Sequence, residues 1–110
     1  MKITIENRKK VSFVNIYGDF NISDVAAFES EWEKIVESQP DLVAINCRNI
    51  AFIDSTALGT FVQFLKFLTS RNIKLIFFDL SIAVDRLFHA TMLDKFLTVT
   101  TKEKIEMEYS

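Results

Sequence analysis

The sequence predicts an α/β fold: a mixed sheet with an N-terminal hairpin strand pair, central parallel strands, and helices packed on the sheet. Three observations predict it. Two N-terminal runs alternate apolar and polar residues, two later runs are almost wholly apolar, and segments with helical apolar spacing separate them. A helix between two buried strands implies a right-handed crossover, and therefore parallel pairing of those strands.

The first two strands form the predicted hairpin. Ile3 and Ile5 alternate with polar neighbours, residues 7–10 supply the turn, and a second run covers residues 11–16. The segment 17–21 interrupts the alternation, so the second strand is expected to end before it.

The next segment predicts one helix with a single apolar stripe. Asn21 or Ser23 caps its start, and Pro40 ends it. The apolar residues recur at steps of three and four, as in an amphipathic helix: they are Ile22, Val25, Phe28, Trp32, Ile35 and Val36. The opposite, acidic face is expected to be solvated, with a basic partner as the alternative.

A buried strand over residues 42–45 leads to the polar triplet Asp54-Ser55-Thr56, and an apolar helix starts directly after it. Gly59 lies in the first turn of this helix, where glycine is intrinsically unfavourable. Close packing, or close approach of another backbone, is the expected reason, and a chance occurrence is the alternative. Asn72 is expected to end the helix in a left-handed conformation.

The C-terminal third predicts another strand, a helix and a short final strand. Residues 73–78 form the strand, Asp79 or Ser81 caps the helix, and residues 98–100 form the last strand. The last ten residues fit either an alternating strand or a short helix. The segment behind the helix is expected to pack through three apolar residues: Leu93, Phe96 and Leu97.

Composition narrows the class of protein. With 110 residues, 49% of them hydrophobic, the chain is expected to form a single domain over residues 1–110. Thirteen basic and fifteen acidic residues, without a basic cluster outside the hairpin turn, argue against a nucleic-acid partner. The longest apolar stretch is interrupted and too short for membrane insertion. The single cysteine, Cys47, fits a reducing cytoplasm.

The sequence lacks the patterns of common catalytic sites. Two glycines cannot build a phosphate-binding loop, and no His, Cys and carboxylate spacing indicates a metal site. The one histidine, His89, is expected at the surface rather than as a catalytic base. We therefore predict no catalytic residue, no cofactor and no metal, and expect the protein not to be an enzyme.

The triplet at residues 54–56 is the strongest functional candidate. Its side chains are those that accept hydrogen bonds from the free N–H groups of a helix start. Ser55 is thus expected at the positive end of a helix, where an added phosphate is tolerated. A simple helix cap is the alternative interpretation. The predicted position beyond the carboxyl end of a parallel strand, where functional crevices form, favours a functional role.

Three stretches carry a resemblance to the STAS domains, and within them to the bacterial anti-sigma factor antagonists, over almost the whole chain. Residues 53–59, Ile-Asp-Ser-Thr-Ala-Leu-Gly, resemble the family signature Asp-Ser-Ser/Ala-Gly/Ala-Leu-Gly. Residues 83–88 and 93–96 are similar to its later helix and the turn beyond. Residues 17–21 resemble the Gly-Glu-Leu-Asp that follows the family's second strand.

The resemblance implies a switch in partner binding. An anti-sigma factor that is itself a serine kinase phosphorylates the serine at the position of Ser55, with Thr56 as the competing acceptor here, and a phosphoserine phosphatase reverses it. The unphosphorylated form binds the anti-sigma factor and frees the sigma factor. The implied partner-binding rim consists of Asn21, Asp54, Ser55, Thr56, Leu58 and Gly59. The alternative is a phosphate-independent STAS adaptor subunit, for example of a lipid-transport complex.

Three positions depart from the family pattern, and the mildest is Ala57 in place of glycine inside the motif. Asn21 stands where the family usually has aspartate, so one carboxylate of the partner-binding rim is missing. Met92 stands where glycine is common after the later helix. We therefore expect Met92 either to adopt a strained left-handed backbone or to force a different turn.

Overall fold

The structure, a computed structural model, describes residues 1–109 and contains a six-stranded sheet with helices on both faces. Its strands are β1 (Lys2–Arg8), β2 (Val11–Phe20), β3 (Leu42–Asn46), β4 (Ile50–Ile53), β5 (Lys74–Phe78) and β6 (Val99–Thr100). Its helices are α1 (Val25–Glu29), α2 (Trp32–Glu37), α3 (Ser55–Thr69), α4 (Ile82–Ala90) and α5 (Lys102–Tyr109). Across these residues, no helix is both long and apolar enough to cross a membrane.

The sheet confirms the predicted fold class. β1 and β2 form an antiparallel hairpin, and the central order β2-β3-β5-β6 is parallel throughout. The short strand β4 lies off this path and pairs with the end of β2. The parallel strands β3 and β5 are mostly buried, as their apolar runs predict.

The second strand is longer than predicted, and β4 was missed. A register shift between Gly18 and Asp19 bends β2, with Gly18 at a φ of 87°, so that the strand continues to Phe20. Such a bulge breaks the alternation without ending the strand. The continuation gives β4 a pairing partner, and the Gly18 N–H also donates to the Asn49 carbonyl at 2.9 Å.

Two apolar clusters lie on opposite faces of the sheet. The larger cluster joins one face to α1–α4 and contains the aromatic residues Phe20, Phe28, Phe61, Phe64, Phe77 and Phe88. The smaller cluster lies on the other face under α5, which inserts Ile105 against Val11, Phe13 and Phe78. Of the last ten residues, Lys102–Tyr109 therefore form a helix rather than an alternating strand, while Ser110 lies outside the described residues.

The predicted first helix is divided into three pieces. Residues Ile22–Asp24 form a 3₁₀ turn before α1, and α1 is separated from α2 at Ser30 and Glu31. The Ser30 hydroxyl donates to the Ala27 carbonyl at 2.7 Å, a local bond that competes with helical pairing. Ile22, predicted to belong to the buried stripe, is 66% exposed because it lies in the 3₁₀ turn.

Two packing expectations were wrong. Among residues 1–109, a Cβ at Gly59 would meet no atom within 4 Å beyond the adjacent backbone of its own helix, so packing against other elements does not explain this glycine. Phe96 is 76% exposed, whereas Leu97 is buried and Leu93 packs against the larger cluster. The short 3₁₀ turn Leu93–Lys95 turns the chain so that only the two leucines face inward.

Left-handed backbone conformations occur at the predicted helix ends. Asn72 follows α3 with a φ of 61°, and Met92 follows α4 with a φ of 61°. Met92 thus keeps the backbone shape that glycine usually supplies, at a steric cost of roughly 1 kcal/mol. Ser81 rather than Asp79 caps α4, through a 3.3 Å hydrogen bond from the Val84 N–H.

His89 joins the end of α4 to the following turn and supports a pH-dependent prediction. Its Nδ1 lies 2.8 Å from the Asp85 carbonyl oxygen and 3.3 Å from the Asp85 carboxylate, and its Nε2 lies 3.6 Å from Asp94. The hydrogen bond to the Asp85 backbone, followed by the two carboxylates, raises the His89 pKa above its ordinary value of 6.5. The ring is 64% exposed, so the contribution to stability is small.

Because the folded pKa is raised, the charged ring stabilises the fold fully below the unfolded pKa, and this stabilisation disappears as the pH rises through the folded pKa. We expect wild type to exceed His89→Gln in unfolding free energy at pH 5, with the difference falling towards zero by pH 8. Urea unfolding at both pH values measures it. A difference that grows with pH would contradict this assignment.

Candidate functional site at the start of helix α3

Asp54 connects the start of α3 to the segment after β2. It has extended backbone angles, and its Oδ1 accepts a hydrogen bond from the Ala57 N–H at 2.8 Å, as a helix cap does. Its Oδ2 accepts the Ile22 N–H at 2.9 Å. Both carboxylate oxygens are therefore engaged by backbone donors, and the charge lies at the positive end of the α3 dipole.

Ser55 is the first residue of α3, and its side chain is exposed. Within residues 1–109, its hydroxyl has no hydrogen-bond partner, because Asp54 rather than Ser55 provides the cap. Thr56 is also exposed, and its carbonyl accepts the Thr60 hydroxyl at 3.2 Å. Within the triplet, the capping role thus falls on Asp54, and Ser55 and Thr56 are both exposed.

Asn21 lies beside Asp54 and is held by a capping box. Its Oδ1 accepts the Ser23 N–H at 3.0 Å, and the Asp24 carboxylate accepts the Asn21 N–H at 3.0 Å. The Asp54 N–H donates to the Phe20 carbonyl at 3.3 Å, which fixes the two segments side by side. Asparagine caps as well as aspartate does, so the departure at position 21 removes a charge without removing the cap.

The structure brings five of the six predicted rim residues to one accessible end of α3. Asn21, Asp54, Ser55, Thr56 and Gly59 are exposed or half-buried there. The sixth, Leu58, is only 3% exposed and belongs to the larger apolar cluster. The Leu58 prediction therefore needs correction: its side chain packs inward and is not available at the surface, because the helix turns it towards the core.

Two exposed apolar side chains near the predicted rim were not predicted as site residues. Ile22 is 66% exposed and its N–H bonds to Asp54, and Phe52 on β4 is 53% exposed, two residues before Asp54. Large exposed apolar side chains are a common feature of protein interfaces. Their exposure depends on the 3₁₀ turn and on β4, the two elements that the sequence did not predict.

The described residues offer no cluster of three or more His, Cys, Asp or Glu side chains able to hold a metal ion. Cys47 is fully buried, and burial raises the pKa of its thiol far above the usual range, so the thiol stays protonated. The distinctive chemical group of this site is instead an exposed hydroxyl at a positive helix end. Such a group suits phosphate acceptance or direct contact with a protein surface.

We expect Asp54→Ala to lower the free energy of unfolding by about 1–2 kcal/mol, because α3 loses its cap and the Ile22 N–H loses its acceptor. Chemical denaturation measures the change. Asp54→Asn is the matched control: it keeps one acceptor oxygen for the cap, and its loss should be about half as large or less. An alanine variant as stable as wild type would contradict the bridging role of this carboxylate.

The fold, with Ser55 at the start of α3 directly after the capping Asp54, is that of a STAS domain. The family model for the STAS domain matches residues 2–106, so the chain belongs to this family. A curated relative, the anti-sigma-B factor antagonist of Staphylococcus aureus, is 27% identical over 108 residues, covering 96% of this chain and 100% of the relative.

Solved structures show the same fold. An anti-sigma factor antagonist from Mycobacterium paratuberculosis superposes with a TM-score of 0.81 at 20% identity, over 98% of this chain and 92% of that one. The phosphorylated form of SpoIIAA, a Bacillus cell fate determinant, superposes with a TM-score of 0.74 at 14% identity, over 99% of this chain and 100% of that one. At these identities the similarity establishes the architecture.

Proposed function

We propose that this protein is an anti-sigma factor antagonist and that phosphorylation of Ser55 switches off its binding to the anti-sigma factor. One observation carries the proposal: the Ser55 hydroxyl is exposed and unpartnered among residues 1–109, at the capped start of α3. The family membership and the Staphylococcus aureus relative support the same function.

The local electrostatics fit a switch that spares the fold. A phosphoserine adds about 1.5–2 negative charges at neutral pH. At the N-terminal end of α3 these charges meet the positive end of the helix dipole, so the domain remains folded. A docked partner surface, however, meets the new charge beside Asp54 and must desolvate both groups. Phosphate therefore opposes docking more strongly than it opposes folding.

The partners follow from this function. The unphosphorylated form binds an anti-sigma factor that is a serine kinase and so releases the sigma factor, and a phosphoserine phosphatase restores the binding form. The protein acts as a binding module in the cytoplasm rather than as an enzyme. A Bacillus relative of the same fold, SpoIIAA, has been solved in unphosphorylated and phosphorylated forms, which supports a phosphate cycle on this architecture.

Incubation with a kinase-type anti-sigma factor and ATP, followed by phosphopeptide mapping by mass spectrometry, tests the proposal. We expect one phosphate at Ser55, none in Ser55→Ala, and an unchanged level in Thr56→Ala. Phosphate that is retained in Ser55→Ala but lost in Thr56→Ala would show that Thr56, and not Ser55, is the phosphorylated residue. Tight partner binding with no phosphate incorporated would favour the alternative of a phosphate-independent adaptor.

A further inference from the structure

A small polar pocket lies on the sheet face opposite α1–α4, away from the partner-binding rim. It has a volume of about 120 Å³ and lies against this face at the carboxyl ends of β3 and β5, where the first turn of α5 begins. Phe13 and Phe78, in edge-to-face contact at 6.1 Å between ring centroids, form its apolar floor. In open α/β sheets, ligands bind beyond the carboxyl ends of the strands.

Two half-buried amides on neighbouring strands line the pocket and retain hydrogen-bonding capacity. Asn46 Nδ2 donates to Asn15 Oδ1 at 3.1 Å, and Asn15 Nδ2 donates to Thr4 Oγ1 at 3.2 Å. Asn46 Oδ1 accepts the Arg48 N–H at 3.0 Å. Each amide nitrogen carries two hydrogens, so each keeps one donor that these bonds do not use. The amides are thus oriented by one another and still able to bind a ligand oxygen.

The pocket also concentrates positive charge in a chain of net charge −2. Arg8 is paired with Glu6 at 2.8 Å, and these two charges cancel. Arg48 and Lys102 line the same pocket, and neither lies within ion-pair distance of a carboxylate among the residues that the structure describes. Lys102 is the first residue of α5, so the positive end of that helix dipole adds to the field.

Asp79 is the opposing group at this pocket. Asp79 lines the pocket, and its backbone has a φ of 53°, a conformation that most L-residues avoid. An anionic ligand is therefore attracted by Arg8, Arg48 and Lys102 and repelled by Glu6 and Asp79, which leaves one positive charge in excess. This balance favours a weak site for a small anion and predicts opposite effects for removal of the two kinds of charge.

We propose that this pocket binds a small oxyanion, a carboxylate or a phosphate group, between the Arg48 and Lys102 side chains and the Asn15 and Asn46 amides. Arg48 follows β3 and Lys102 begins α5, so a bound oxyanion holds α5 to the sheet. The inference is independent of the phosphate cycle at Ser55, because it concerns the other face of the sheet.

Titration of the ¹⁵N-labelled protein with sodium phosphate and, separately, with sodium acetate tests the site, with sodium chloride at matched ionic strength as the reference. The side-chain NH₂ signals of Asn15 and Asn46 report directly on the pocket. We expect saturable shifts of both signals with at least one of the two oxyanions, and the comparison of the two affinities shows whether phosphate or carboxylate is preferred. Equal shifts with chloride, or shifts that do not saturate, would overturn the proposal.

Three charge variants make the test sharper. Arg48→Gln and Lys102→Gln should each weaken binding by about threefold to tenfold, and Asp79→Asn should strengthen it. Lys66→Gln, an exposed lysine of α3 on the other side of the sheet, removes the same charge and should leave the affinity unchanged. An equal loss in Lys66→Gln would show a general charge effect and would also overturn the site.

Discussion

The Ser55→Asp variant is expected to bind its anti-sigma factor at least about 100-fold more weakly than wild type, because like charges and unpaired buried charges cost an interface several kcal/mol. Its free energy of unfolding should stay within about 0.5 kcal/mol of wild type, since aspartate is favourable in the first turn of a helix. Calorimetric titration with the partner and urea unfolding of the free protein measure the two quantities.

Ser55→Asn separates charge from size. Asparagine has nearly the shape of aspartate and carries no charge, so this variant should keep most of the wild-type affinity. If Ser55→Asn and Ser55→Asp lose affinity equally, the interface rejects bulk rather than charge, and the electrostatic basis of the switch is wrong. If neither variant loses affinity, Ser55 lies outside the contact and the phosphate-independent adaptor becomes the better explanation.

Phe61→Ala is expected to give the largest loss of stability, about 3–5 kcal/mol, as large-to-small changes of a buried phenylalanine do. The Phe61 ring is fully buried, with centroid distances of 5.4 Å to Phe20, 5.8 Å to Phe28, 5.0 Å to Phe77 and 6.5 Å to Phe88. Its removal thus leaves a cavity where α1, α3, α4 and two strands meet. Urea unfolding with an unchanged m-value measures the loss.

Phe96→Ala provides the matched control for this change. Phe96 is 76% exposed, so the same truncation should alter the free energy of unfolding by less than about 0.5 kcal/mol. Comparable losses in the two variants would contradict the placement of Phe61 at the centre of the aromatic cluster. A large loss in Phe96→Ala alone would mean that the turn after α4 packs inward, as the sequence had suggested.

The elements that periodicity determines could be predicted from the sequence. The alternation of apolar and polar residues predicted the hairpin, and the two apolar runs predicted β3 and β5. The triplet at residues 54–56 predicted the start of α3. These signals are local, since they depend on residues within one strand or one turn of helix. The family resemblance then added the expected function, which no pattern of apolar residues contains.

The missed features depend on contacts between distant segments. β4 has four residues and forms only because the bulge at Gly18 brings the end of β2 alongside it. The 3₁₀ turn at Ile22 depends partly on an acceptor on Asp54, thirty-two positions later in the chain. Leu58 differs from these two features, because its inward orientation follows from the local phase of α3, in which Leu58 and Phe61 are buried together. No local pattern reports such long-range pairings.

The bulged strand β2 has a consequence for how the switch can operate. The first part of β2 pairs with β1 and β3, and its last residues, next to Asn21, pair with β4. The segment that carries Asn21 is therefore anchored to the centre of the domain. Amide hydrogens at Phe20 and Asp54 should therefore exchange with solvent only when the whole domain opens. We therefore expect this surface to be regulated by a change of its charge, which leaves its shape unchanged, and not by local unfolding.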